Sequence, residues 1–234
     1  MLHRLRHAPC AVALVSALAL LAACSPREAE RAKPNVVFIL VDTTRADRLS
    51  LYGYPRSTTP HLEQLAESGV VFESARSQAA CTFPSVNSLL TSRAPHRFLD
   101  QPLGDWSIPE SLPSIAEILR EHGYATYAVS ASTVVRATPS RQNQTGGYGR
   151  GFDVFDERCE GQPGKCVSQR GLALIQRSPR PYFLYLHYMD PHHPYAAPGS
   201  FRHHFAHPRP LPRHVRDGDP KPLLESVYKR GERK

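Results

Sequence analysis

The chain has 234 residues, of which 41% are hydrophobic and 21% charged. That suits one compact domain with a real core and excludes wholesale disorder. Glycine, at 14 residues, is too scarce for collagen, and 22 prolines are too many for a long coiled coil, while 29 Lys and Arg against 21 Asp and Glu leave a net +8 that is compatible with nucleic acid or an anionic surface.

The first element is a targeting segment. Arg4 and Arg6 precede Ala11 to Ala23, thirteen small or apolar residues. A membrane span needs about 20, so the run fits the core of an export signal over residues 1–23. Its end, Leu21-Ala22-Ala23-Cys24-Ser25, resembles the bacterial lipoprotein signal. The resemblance implies that Cys24 is lipidated and that the protein is exported and membrane-anchored in the cell envelope, facing the periplasm. An ordinary cleaved signal with an incidental Cys is the alternative. Without the two signal arginines the balance falls to 27 basic against 21 acidic residues, or +6. Much of that excess lies in a Pro- and His-rich tail at 201–234, which includes Arg202, His203, His204, Arg209 and Arg213. No aromatic ladder or nucleic-acid motif accompanies it, so no nucleic-acid partner is expected.

After a linker over 24–33, Asn35 to Val41 is a continuous β-branched and apolar run. It predicts a strand buried on both faces, ending at Asp42. Thr59-Pro60 marks a helix start; Leu62, Leu65 and Ala66 make its face and Gly69 its end. Val70 to Phe72 reads as a short strand. Pro84 opens a second helix carrying Leu89 and Leu90. Leu112, Ile115, Ala116 and Leu119 predict a third, closed by Gly123. Tyr124 to Val129 is another strand. Cys159 and Cys166 bracket a Gly- and Pro-containing loop, read as a small disulfide loop in an exported protein, with Cys81 left over. A helix around Val167 to Gln176 and a strand over Tyr182 to Tyr188 complete the series. The alternation predicts an α/β domain with a largely parallel sheet flanked by helices, and a site at the carboxyl ends of the strands.

Three segments carry chemistry. Asp42, in Val41-Asp42-Thr43-Thr44-Arg45-Ala46-Asp47, is a hard oxygen ligand at a strand end. Thr82, in Thr82-Phe83-Pro84-Ser85, stands where a helix begins and where free N–H groups favour an anion. Met189-Asp190-Pro191-His192 presents an imidazole on a proline-restricted loop. Each alone is an ordinary turn or cap.

Together and in this order they resemble the sulfatase family of the alkaline phosphatase superfamily. Matching stretches run from about Pro34 to Pro198. They include Tyr52-Gly53-Tyr54 with Thr59-Pro60, Leu89-Leu90-Thr91 with Arg93, and Gly151-Phe152-Asp153. The resemblance implies an alkaline phosphatase/sulfatase-like fold over residues 34–200. It also implies an anionic ester substrate and a divalent metal. Calcium or magnesium suits oxygen ligands, while added imidazole shifts the balance toward manganese or zinc. It places Asp42 among the metal ligands, Thr82 at the nucleophile and metal position, Arg93 beside the nucleophile, and His192 on the sulfate.

Several positions depart from the pattern. Thr43 replaces a second metal-binding carboxylate. Many sulfatases start from a Cys or Ser that is oxidised to formylglycine, with an Arg four positions later; Thr82 and Val86 stand there, and Cys81 is one residue out of register. Formylglycine is therefore not expected. Ser130-Ala131-Ser132-Thr133 occupies the place of a sulfate-binding Lys and His. Nothing after Pro198 resembles the later metal-ligand segment, so the chain reads as the N-terminal portion of a larger enzyme. Three functions follow as expectations: a sulfate-ester hydrolase, a phosphoryl transferase or hydrolase of the same superfamily using Thr82, and a non-catalytic lipoprotein fragment.

Overall fold

The computed structural model describes residues 32–98 and 105–193, and the single positions 197, 199, 201 and 204. The expected signal, lipidated Cys24 and nearly all of the basic tail lie outside the described residues. No helix among the described residues is long and apolar enough to cross a membrane.

Among the described residues four strands form one sheet: β1 (Val36–Val41), β2 (Ala125–Ser130), β3 (Val154–Asp156) and β4 (Tyr182–Tyr188), in the order β1-β4-β2-β3. Every pairing is parallel. Helices α1 (Pro60–Ala66), α2 (Thr82–Thr91), α3 (Ile115–Glu121) and α4 (Gly164–Ile175) lie between them in the chain. Side chains alternate across a strand, so β4 feeds two cores. Phe183 and Tyr185 pack with Ala128, Val86 and Leu90 of α2, and Ala116 of α3. Leu184 and Leu186 pack with Val129 and with Val167 of α4 on the other face. Helices on both faces make this the doubly wound α/β architecture, with β4 in its middle.

Local chemistry explains several boundaries. α3 starts at a capping box, in which the Ser114 hydroxyl accepts from the Glu117 N–H and the Glu117 carboxylate accepts from the Ser114 N–H. Gly151, at φ 81°, passes so close to α3 that an added Cβ would meet the backbone of Glu117. Cys159 and Cys166 are joined in a disulfide just ahead of and within the first turn of α4. Cys81 is a free, exposed thiol.

Several expectations change. Among the described residues β1 is a sheet edge rather than a strand buried on both faces: Val36, Phe38 and Leu40 face the core, while Val37, Ile39 and Val41 are 47%, 56% and 40% exposed. An apolar run does not distinguish two covered faces from one. Val70 to Phe72 form no strand and are exposed. β3, only three residues long, carries too short a pattern to read. The face expected of α1 is also exposed at Leu62 and Leu65. The Thr59 hydroxyl does not cap that helix; it meets the Ser50 hydroxyl at 3.1 Å and accepts from the Leu51 N–H at 3.1 Å.

Candidate active site

The register Val41↔Tyr188 brings the carboxyl ends of β1 and β4 level. Asp42 continues that pairing, its N–H donating to the Tyr188 carbonyl at 2.9 Å. From across the sheet end, α2 begins at Thr82, two residues earlier than Pro84 indicated, with Cys81 as N-cap. Phe83 stacks on Trp106 at 5.9 Å between ring centroids and anchors this first turn.

The Thr82 hydroxyl donates to Asp42 Oδ2 at 3.0 Å. A second group reaches the same oxygen: Nε2 of His187, at 3.3 Å. His187 is fully buried, and its Nδ1 lies 3.0 Å from the Tyr185 hydroxyl. Tyr185 and His187 are two apart on β4, so the pleat points both toward the α2 side of the sheet. The result is a continuous chain, Tyr185–His187–Asp42–Thr82.

Burial pushes the Asp42 carboxyl up, but hydrogen bonds from His187 and Thr82 outweigh it and hold the group below its ordinary value. Asp42 is thus ionised at neutral pH. It makes no ion pair with Lys or Arg among the described residues, and its Oδ1 takes no hydrogen bond there. An ionised, largely enclosed carboxylate oxygen without a cationic side chain fits a hard divalent cation. Thr82 Oγ1 is the adjoining donor. These two fit part of a coordination shell, not a whole one; no group of three or more His, Cys, Asp or Glu is gathered for a metal among the described residues.

Thr43 stands next to Asp42 with φ 55°, and its hydroxyl donates to the Asp42 carbonyl at 2.8 Å rather than extending the site. His192 is half-buried on the turn after β4; its N–H donates to the Met189 carbonyl at 2.9 Å, and its Nδ1 lies 2.7 Å from the His193 carbonyl. The structure does not bring Arg93 into this group. α2 is ten residues long, about 15 Å, and Arg93 follows its far end, exposed and without a hydrogen bond or ion pair among the described residues. Ser130 and Ser132 are buried and occupied with the backbone around Val134 and Val135.

His187 is the site residue that sequence reasoning passed over for His192. Its signal was present: a His in the penultimate position of an otherwise apolar and aromatic strand must find buried polar partners.

A family profile described as Sulfatase matches residues 34–210. The chain belongs to the sulfatase family. This sulfatase-family chain is 34% identical over 117 residues to arylsulfatase D of Homo sapiens, covering 46% of its own length and 20% of that protein. It is 32% identical over 125 residues to an N-acetylgalactosamine-6-O-sulfatase of Bacteroides thetaiotaomicron, covering 50% of itself and 24% of that protein. It is also 28% identical over 106 residues to the phosphoethanolamine transferase CptA of Salmonella typhimurium, with coverages of 44% and 17%. In fold it resembles the C-terminal periplasmic domain of EcEptC from Escherichia coli, with TM-score 0.60, 20% identity, and coverage of 82% of this chain and 56% of that one. The same domain in a complex with Zn gives TM-score 0.58. The chain thus spans about a fifth to a quarter of these curated sulfatases and about half of the solved domain.

Proposed function

We propose that this chain carries the nucleophile half of a sulfatase-type site that cleaves an anionic ester, with Thr82 as nucleophile and Asp42 as the charged ligand of a divalent metal. The single observation that carries the reading is the Thr82 hydroxyl held 3.0 Å from an ionised Asp42 at the first turn of α2. The Thr82 oxygen would form the new bond to sulfur or phosphorus as the bond to the leaving alcohol breaks, its proton passing to solvent, and a divalent cation bound there would lower the hydroxyl pKa and offset the charge of the ester. Asp42, held below its ordinary pKa, is a poor base; its part is to fix the hydroxyl by accepting its proton in a hydrogen bond and to bring negative charge to the site. The first-turn N–H groups of α2 favour the anionic substrate. His192, near enough to act on the Asp42 carboxylate, is the imidazole that would approach the ester. Arg93 stands beyond the far end of α2, away from this group.

A sulfate ester is the first substrate class, on family membership. Phosphoryl transfer is the second reading, favoured by one residue: Thr82 cannot become formylglycine, so its hydroxyl must attack directly. The likeness to a phosphoethanolamine transferase supports the same reading. An exported, lipid-anchored location through Cys24 completes the proposal, supported by the disulfide and by the likeness to a periplasmic domain.

Turnover of para-nitrophenyl sulfate and para-nitrophenyl phosphoesters with added divalent metal separates the readings. Thr82→Ala should lower whichever activity is present by at least about 100-fold. Activity that survives this substitution would remove Thr82 from the nucleophile role. A folded chain inactive on both ester classes would favour the non-catalytic reading.

A further inference from the structure

We propose that Tyr185 and His187 are positioning residues for Asp42: they pin Oδ2 and leave Oδ1 presented to a divalent cation. The inference rests on the reading of Asp42 as a metal ligand and adds how one carboxylate can serve where the family uses two.

Tyr185 and His187 are both fully buried. Burial keeps the Tyr185 hydroxyl protonated well above neutral pH, and its hydrogen-bond partner among the described residues is Nδ1 of His187, at 3.0 Å. A metal-binding carboxylate only accepts, so Nε2 carries the ring proton and Nδ1 is left to accept from the Tyr185 hydroxyl. Nε2–H then donates to Asp42 Oδ2 at 3.3 Å. With both nitrogens engaged, the imidazole cannot flip without stranding a buried donor or acceptor. Ordering travels from the rigid centre of the sheet, through β4, to the Asp42 carboxylate at its rim. Metal sites commonly fix their carboxylates in this way, by hydrogen bonds from residues that do not touch the ion. The device matters more here because Thr43 supplies no second charge.

A histidine that merely satisfies the core would leave metal affinity unchanged once the fold is intact. The test uses the full chain. Nitrogen-15 spectra of the histidine rings should show His187 protonated at Nε2, with a resonance shift in Tyr185→Phe. Calorimetry with manganese chloride should show affinity weakened about 10-fold in Tyr185→Phe and about 10- to 100-fold in His187→Leu. His187→Gln should recover part of the loss, because its amide N–H can occupy the Nε2 position. Metal-free melting curves confirm that each variant is folded, and Tyr185→Phe, which removes one oxygen, keeps the test valid if His187→Leu is not. Protonation at Nδ1, or manganese affinities in folded variants that match the parent, would overturn the positioning role alone. A folded parent that binds no manganese would overturn the Asp42 ligand reading, and this proposal with it.

Discussion

Thr43 shows at the residue scale how the site departs from its family. A β-branched residue at φ 55° is out of its preferred region, at a cost of about 1–3 kcal/mol. Its hydroxyl bond to the Asp42 carbonyl is exposed and offsets little of that. Thr43→Gly should therefore raise the unfolding free energy by about 1 kcal/mol, read as a higher denaturant midpoint at constant slope. A lower midpoint would mean that the strain is not there. Thr43→Asp restores a carboxylate beside Asp42, and Asp tolerates this backbone region better. Metal affinity should rise by at least about 10-fold in calorimetry; no change would show that position 43 does not face the ion.

At the scale of elements, the site is made where β1, β4 and α2 end or begin, and the α4 start supports it from behind. The Gly164 N–H donates to Asp190 Oδ1 at 2.9 Å, and an added Cβ at Gly164 would meet Asp190 Oδ2 at 2.6 Å and Tyr188 at 2.8 Å. Asp190 lies on the turn that carries His192. The Cys159–Cys166 disulfide closes the loop that leads into this helix start. Replacing both cysteines by Ala should cost about 2–3 kcal/mol of stability, from the entropy of a loop this short, measured by denaturant titration. Gly164→Ala should lower both stability and activity, because Asp190 must move; unchanged kcat and KM would uncouple α4 from the site. Much of this frame was legible beforehand. The continuous apolar runs of β1 and β4 and the Ile115, Ala116 and Leu119 face of α3 located the sheet and its helices, and the order of motifs pointed to the strand ends as the candidate site. The rest was hidden for physical reasons. An apolar run does not say whether one face or two are covered, so the edge position of β1 was missed. The three residues of β3 are too few for a period. His187 was overlooked because its role comes from register with β1, a relation between strands far apart in sequence.

For the whole molecule, two features stand out. The outer face of β1, with Val37, Ile39 and Val41, leaves apolar side chains exposed, and the chain spans about half of the solved domain it resembles. Acid sensitivity is the second. Burial raises the Asp105 and Glu157 pKa values, but Ser107 and the N–H groups of Ser107 and Gln144 hold Asp105 below its usual value, and those of Ala137 and Thr138, with Arg136, do the same for Glu157. Groups depressed on folding contribute stability that is present above their ordinary pKa and lost as pH falls through the folded value. Stability should be flat near neutrality and fall below about pH 4. Asp105→Asn should shrink that fall; an acid limb unchanged by the substitution would assign it to other carboxylates.

In the proposed reaction the Thr82 hydroxyl is the group that attacks the ester. The direct measurement is the intact mass of the full chain, acid-quenched during reaction with manganese chloride and para-nitrophenyl sulfate or a para-nitrophenyl phosphoester. A covalent adduct of one sulfuryl or phosphoryl group on Thr82, absent from Thr82→Ala, is the result expected. Turnover with no adduct on the parent chain, and undiminished turnover by Thr82→Ala, would contradict it.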